Sequence, residues 1–463
     1  MIDTFEYKGI WWLPGKQTEA RFGILTFAEG DGVYLEIFPA FKQKGDTSYS
    51  NYDLIHGQLA NGKPVTLQKC SEIGQTLNFP GMHTSKFMCQ KALLGCLLQS
   101  EDEFKFTRIL VSFSHFETWI RMSGLILPNA VLSNAESKSP KVEYQNLPSV
   151  QLGTINGFLL KIDFSLLTEA VLVGSRRISL TERALLVIES QTGSRPLHEF
   201  LNLIFDFQYF LCVACREPIF ILSIQCHPIE IYFNTGYVHA KKTVAHSDML
   251  FMLPDVRQNL TALVDNWMKI RSTLKPITQL YLSLIYNPKV VHEFQFLSLV
   301  HALEGYHRME YGGRYESDDT FHEGLYQKLT SLVRTEVTEK NFKEALESKM
   351  FYLNQYSLQK RLKDLMKDIP DSLLALIGVN KSSRDKFIEF IKEVKDSRNS
   401  LTHYDKDSQE TQVDPRDIYI LTIKCKLLLE ICLVRKMGLR YEDIEKFMKN
   451  SQNTNYSLKG EWV

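Results

Sequence analysis

The sequence predicts an α+β chain of more than one domain, with a β-rich, sandwich-like unit followed by an all-α helical bundle. Two observations carry this. Up to about residue 245 the chain runs in short β-branched and aromatic segments punctuated by Gly, Asn, Asp and Pro. From about residue 255 the apolar residues recur at steps of three and four, the period of a helix. A length of 463 residues is too long for one ordinary core. The expected organisation is therefore a β-rich domain over 1–245, with a sub-domain break near 133–149, and a helical domain over 250–463.

Strands are expected at Phe5–Trp12, Phe22–Phe27, Val33–Phe38, Val65–Gln68, Phe104–Phe113 and Gly157–Phe164. The turn signals Glu29-Gly-Asp-Gly-Val33 and Asn61-Gly-Lys-Pro64 separate them. A helix at Leu197–Cys215 interrupts the region, and strands return at Ile219–Ile224 and Ile229–Phe233. Helices follow near 255–273, 276–287, 290–311, 321–337, 339–349, 357–368, 382–403, 415–437 and 440–449. Asp414-Pro415 reads as an N-cap followed by proline at the first helical position, and Ser382 with Asp385 resembles a capping box. The polar stretch Tyr404–Val413 is a short connection, so the helices on either side should be antiparallel neighbours.

Composition narrows the class of protein. Apolar residues make up 44% and charged residues 23%, as in a soluble globular chain. Lys+Arg and Asp+Glu are 54 each, which argues against a nonspecific nucleic-acid coat but allows a local positive pocket. Met1–Lys8 has neither the basic start nor the apolar run of a signal peptide. The apolar stretch around Phe200–Ile224 is broken by Asp206, Arg216, Glu217 and Pro218, so it reads as a core helix and strand and not as a membrane span. The eight dispersed cysteines then suggest reduced thiols and a cytoplasmic location.

One segment looks chemical: Arg398-Asn399-Ser400-Leu401-Thr402-His403. Phe387, Ile391 and Val394 recur at helical steps, and the next positions on that stripe are Arg398 and Leu401, which puts a charge in line with the apolar face. A buried charge without a partner costs several kcal/mol, so Arg398 should have a compensating partner or ligand. Asp396, Asn399 and His403 fall on one side of an ideal helix, while Arg398 and His403 stand about 140° apart around its axis. Arginine offers planar paired donors to a phosphate, and histidine moves protons near neutral pH. Together they can cleave a phosphodiester without a metal. The R-x4-H spacing alone is a weak pattern, and a buried ion pair with a surface histidine explains it equally well. Upstream, Leu297 and Val300 lead to Glu304, a second charge in line with apolar neighbours, so Glu304 and Arg398 are expected to pair between two packed helices.

The segment Lys395-Asp-Ser-Arg-Asn-Ser-Leu-Thr-His403 resembles the R-N-x3-H signature of HEPN-domain ribonucleases. Phe296-Leu-Ser-Leu-Val-His-Ala-Leu-Glu-Gly-Tyr-His-Arg308 resembles the first helix of the ApeA-like branch of that superfamily, and Gln359-Lys-Arg-Leu-Lys-Asp-Leu365 its middle helix. The resemblance spans about residues 290–440. The β-rich half is similar in architecture to the domain that accompanies this module in ApeA anti-phage proteins, and would sense or regulate. The resemblance implies a metal-independent endoribonuclease of abortive infection that needs no cofactor. Two R-x4-H elements would meet in a composite cleft of a homodimer or higher homo-oligomer. Arg398 would bind and polarise the scissile phosphate, His403 would act as general base or acid, and Asn399 would assist. Glu304 would hold Arg398, with Asp396 in support. His307 and Arg308 are candidates for contact with RNA at the cleft mouth, against the plainer reading of a solvated helix face. The expected partners are RNA, with tRNA a superfamily-level expectation, and a phage-derived trigger. No basic face is evident in this domain.

The rival reading is a non-catalytic sensor that binds RNA or protein, with the bundle as a dimerisation scaffold. Other signals are weaker. Cys212-Val-Ala-Cys215 with Cys226-His227 invites a zinc reading, but the first pair lies in a strongly apolar stretch and reads as core. Trp11-Trp12 could form a ligand platform, though filling a β core is the commoner use. Gly312-Gly313 and Ser317-Asp-Asp319 show no phosphate-loop pattern.

Overall fold

A computed structural model describes residues 4–28, 31–42, 48–76, 81–126, 142–168, 179–233, 244–379, 384–402 and 414–451. The chain divides into two compact units, residues 1–265 and 266–463. Residues beyond 245 stay with the first unit because they pack on its helix: Leu250 N–H donates to Ala214 O at 2.8 Å, and the Phe251 and Phe210 rings lie 6.0 Å apart.

The first unit is built on a closed barrel of six antiparallel strands: β1 (Phe5–Trp12), β2 (Arg21–Ala28), β3 (Gly32–Phe38), β4 (Asn51–Leu59), β5 (Pro64–Thr76) and β6 (Thr84–Leu94). The order is β6-β3-β2-β1-β4-β5, and pairing of β5 with β6 closes the ring. Of the sandwich or barrel-like arrangements that the strand spacing suggests, the barrel is the one formed. Alternate residues point inward, among them Trp11, Leu25, Leu35, Ile55, Leu67 and Phe87, all buried. Trp11 fits because glycines face it. A Cβ on Gly23 would lie 2.7 Å from Trp11 Cδ1, and one on Gly57 would run into the six-membered ring. Trp12 is buried as well, so both indoles serve packing and not a ligand platform.

From β6 the sheet continues through β7 (Arg108–Phe113), β8 (Val150–Ile155), β9 (Phe158–Thr168), β10 (Leu180–Ser190), β11 (Ile221–Cys226) and β12 (Ile229–Phe233), in the order β8-β9-β10-β7-β11-β12-β6. Helix α1 (Leu197–Cys215) lies where the sequence placed it, and packs Phe207 and Phe210 against Phe113, Phe116 and Trp119. Cys212 and Cys215 are buried in that packing, and burial pushes the Cys215 thiol well up. Of the expected break at 133–149, residues 133–141 lie outside the described residues, while Glu143–Tyr144 pairs with Leu125–Ile126.

The helical unit comprises α2 (Leu260–Thr273, begun in the first unit), α3 (Lys275–Tyr286), α4 (His292–Tyr311), α5 (Gln327–Glu336), α6 (Lys340–Phe351), α7 (Leu358–Lys367), α8 (Arg384–Thr402), α9 (Pro415–Lys436) and α10 (Tyr441–Asn450). Helix α9 is buried over most of its length and packs most extensively on α4. Asp414 caps it, accepting from Arg416 N–H at 2.8 Å. The single helix expected over 321–337 is instead a short helix (Asp318–Phe321), a π turn (His322–Tyr326) and α5. The π turn gathers the rings of Phe321, His322, Tyr326 and Phe351. Ser382, of the expected capping box, lies outside the described residues.

Candidate functional site

Helices α4, α7 and α8 pack on one another and carry the residues singled out by the sequence. On α8 the buried stripe is Phe390, Ile391, Val394 and Ser397, and Arg398 sits at its border, half-buried. Its guanidinium donates from Nη1 to Asn399 Oδ1 at 3.2 Å. The last turn is tightened by Thr402, whose hydroxyl donates to Arg398 O at 2.8 Å. His403 and the connection to 413 lie outside the described residues. Asn399 is exposed, and Asp396 pairs with the neighbouring Lys395 at 3.1 Å.

The expected pairing of Arg398 with Glu304 is not formed among the described residues. The buried stripe of α4 runs through Phe296, Leu299, Val300, Leu303 and Tyr306, so Glu304 stands one position off it and half-buried. The field of Glu304 falls instead on Arg361 of α7, where it favours the charged guanidinium.

Arg361 is the centre of a network that the sequence reading missed. It is 2% exposed and makes three hydrogen bonds: Nε to Tyr356 O at 3.1 Å, Nη2 to Gly313 O at 3.4 Å and Nη1 to His307 Nδ1 at 3.3 Å. Arginine can only donate, so His307 Nδ1 is the acceptor and its proton is on Nε2. From there it donates to Asp364 Oδ2 at 3.1 Å, while Lys360 Nζ reaches Asp364 Oδ1 at 2.6 Å. Burial pushes the His307 imidazole below its ordinary value, and Arg361 adds to this against the opposing pull of Asp364. Burial raises the Asp364 carboxyl, but the bonds from Lys360 and His307 outweigh it and hold the group below the usual range. His307 is fully buried, stacked 5.1 Å from Tyr311. It is therefore neither on a solvated face nor at a cleft mouth, whereas Arg308 is exposed.

The same network pins two loops. Tyr356 N–H donates to Gly313 O at 2.9 Å and Tyr315 N–H to Asn354 O at 3.0 Å. The buried Asn354 side chain accepts from Glu316 N–H and donates to Glu316 O, each at 3.0 Å. Gly312-Gly313 and the residues after it thus form a structural clamp.

On the other flank of α8 a cavity of about 730 Å³ runs between α8 and α9. Glu389, Glu393, Asp396 and Asp417 line it against the lysines Lys392 and Lys424. Burial, with Glu389 and Asp417 adding to it against Lys424, raises the Glu393 carboxyl. This flank disfavours a phosphate, and the cation beside Asn399 is the group suited to one.

Residues 6–267 match the family model described as ApeA N-terminal domain 1, and residues 297–443 match that of the Apea-like HEPN domain. No curated protein and no solved structure matches the chain. Among the described residues no helix is long and apolar enough to cross a membrane.

Proposed function

Because the chain belongs to the ApeA family, joining its N-terminal domain 1 to an ApeA-like HEPN domain, we propose that it is a metal-independent endoribonuclease acting in the cytoplasm in anti-phage abortive infection. The observation that carries this reading is the state of Arg398. The residue is half-buried and its guanidinium meets a neutral amide oxygen, with no carboxylate among the described residues to cancel its charge. A phosphate oxygen is the complementary ligand for such a group.

The proposed chemistry needs no group beyond the chain and the RNA. His403 takes the proton of a ribose 2′-OH, and the 2′ oxygen attacks the adjacent phosphorus. Arg398 stabilises the charge developing on the non-bridging oxygens, and Asn399 holds the guanidinium toward them. The bond to the 5′ oxygen breaks and that oxygen leaves with a proton, supplied by a histidine in its acid form. The products are a 2′,3′-cyclic phosphate and a 5′-OH. Two copies of the motif, one from each protomer of a homodimer or larger assembly, would supply the base and the acid. The β-rich unit would restrain the activity until a phage-derived trigger acting through it releases it, and structured RNA such as tRNA is the substrate class we propose.

Sequencing of RNA ends in cells expressing wild type, Arg398→Ala or His403→Ala tests this. New 5′-OH ends in wild type only, with all three proteins folded, is the expected result. Equal ends or equal toxicity in all three would transfer support to the rival reading, a binding module whose bundle is a scaffold.

A further inference from the structure

We infer that the outer wall of the barrel carries a binding site for a small, flat organic anion. The argument begins with register. On a solvated barrel wall the outward residues are expected to be polar, and Glu6 and Glu36 are exposed as expected. Toward one end of β3, β2, β1 and β4 the outward row is instead Phe38, Phe22, Ile10 and Gln58, since Phe22 pairs with both Phe38 and Ile10, and Ile10 with Gln58. The next outward row continues with Ile24 opposite Lys8. Phe22 is 67% exposed, an unusual position for so large a ring.

Between these rows lies the directly paired couple Gly9 and Gly23. A Cβ on Gly9 would lie 2.6 Å from Gln58 O, and one on Gly23 2.5 Å from Glu36 O. The missing side chains let the strands pinch inward, and the wall outside is hollowed to match. The hollow has a volume of about 610 Å³, within the roughly 300–1,000 Å³ usual for small-molecule sites.

Its chemistry is apolar with two polar groups at the rim. Lys8 is its only cation and forms no ion pair among the described residues. Gln58 makes only a long hydrogen bond, from Nε2 to Gly62 O at 3.4 Å, and so has donors and an acceptor to offer. Rings and branched aliphatics select a flat apolar body, and the lone lysine selects a negative group on it. Ten residues line the hollow, against about 20–30 a side for a stable protein interface, so a small ligand fits better than a folded partner.

The test is a titration of the full chain with 8-anilinonaphthalene-1-sulfonate, followed by fluorescence and calorimetry. We expect saturable one-site binding, lost in Ile24→Glu and weakened in Phe22→Ala. Lys8→Gln should weaken it about fivefold and remove its salt dependence. The uncharged N-phenyl-1-naphthylamine should bind wild type and Lys8→Gln alike. If Ile24→Glu does not melt cooperatively, Phe22→Asp replaces it, since the ring is exposed. Absence of saturable binding by wild type, or wild-type binding by the carboxylate variants, would overturn the site. Wild-type affinity for the neutral probe equal to that for the sulfonate would overturn the preference for anions, and a dimer abolished by Phe22→Ala would assign the hollow to a second copy.

Discussion

The Arg361 guanidinium donates to His307 Nδ1 across 3.3 Å in the interior of the helical unit, which fixes the imidazole as the neutral, Nε2-protonated form. Protonating Nδ1 would set two positive groups against each other where water cannot intervene.

This gives stability a defined pH dependence. The folded value of His307 is lowered from the ordinary 6.5, so the unfolded chain binds the proton more readily. Its contribution is present in full above about pH 6.5 and is lost as pH falls from there through the lowered folded value. Thermal midpoints measured between pH 7.5 and 5 should fall in wild type and stay flatter in His307→Gln. Asp364 acts in a separate window, since its lowered carboxyl contributes above 3.8 and is lost only below. Equal slopes in the two proteins would remove His307 as the cause.

Arg361→Met should be more disruptive than its distance from the motif suggests. It strips donors from Tyr356 O and His307 Nδ1 together, while Gly313 O keeps the bond from Tyr356 N–H. Leaving those two buried acceptors unpaired costs about 1–3 kcal/mol each, so we expect a loss of about 3 kcal/mol in a denaturant titration. Arg361→Lys should recover only part of it, because one ammonium cannot replace the planar fork.

Asn399→Asp isolates the charge of Arg398. The substitution converts the acceptor at 3.2 Å into a carboxylate that neutralises the guanidinium while preserving shape. Under the proposed nuclease reading, cleavage should drop by about 10²–10³, the cost of a missing oxyanion donor, with the melting temperature nearly unchanged. Asn399→Ala should cost less. Identical cleavage by Asn399→Asp and wild type, measured on the same RNA, would argue against Arg398 acting on the phosphate.

Gly57→Ala should destabilise the barrel, because its Cβ would occupy the place of the Trp11 ring. A forced shift of this kind costs about 1–3 kcal/mol. Trp11→Leu should be destabilising alone but should relieve Gly57→Ala, and a double-mutant cycle in urea would show that coupling. Additive effects would mean that the indole yields without strain.

What the sequence made legible follows from how local each signal is. Helix α1, the Asp414 cap and the helices from α3 onward, apart from the stretch broken by the π turn before α5, are set by periodicity and capping within a few residues, and they fall where expected. Strands β4, β6, β8 and β10 were not anticipated, because an amphipathic barrel strand such as Thr84–Leu94 alternates with Lys and Gln and gains its meaning only when β5 pairs with it. The break near 245 fell short of residue 265 because Leu250 and Phe251 dock on α1, a tertiary contact with no periodic signature. Arg398 was visible as a charge beside an apolar stripe. Arg361 satisfies the same rule more strictly, beside buried Leu362 and Leu365 on α7, and the rule was not applied there. Glu304 looked complementary to Arg398 in sequence, but one residue of helical phase turns it toward Arg361 instead.

Among the described residues the two flanks of α8 differ in balance: four carboxylates against two lysines in the α8–α9 cavity on one, and on the other a guanidinium that meets only a neutral amide. Under the proposed nuclease reading, a polyanion diffusing toward this helix would be deflected from the first flank and drawn to the second, so the helix would sort approach paths before any contact forms. Such sorting would act on arrival rate, fade as salt shortens the reach of charge, and let a chain of zero formal charge favour one orientation of an RNA over the reverse.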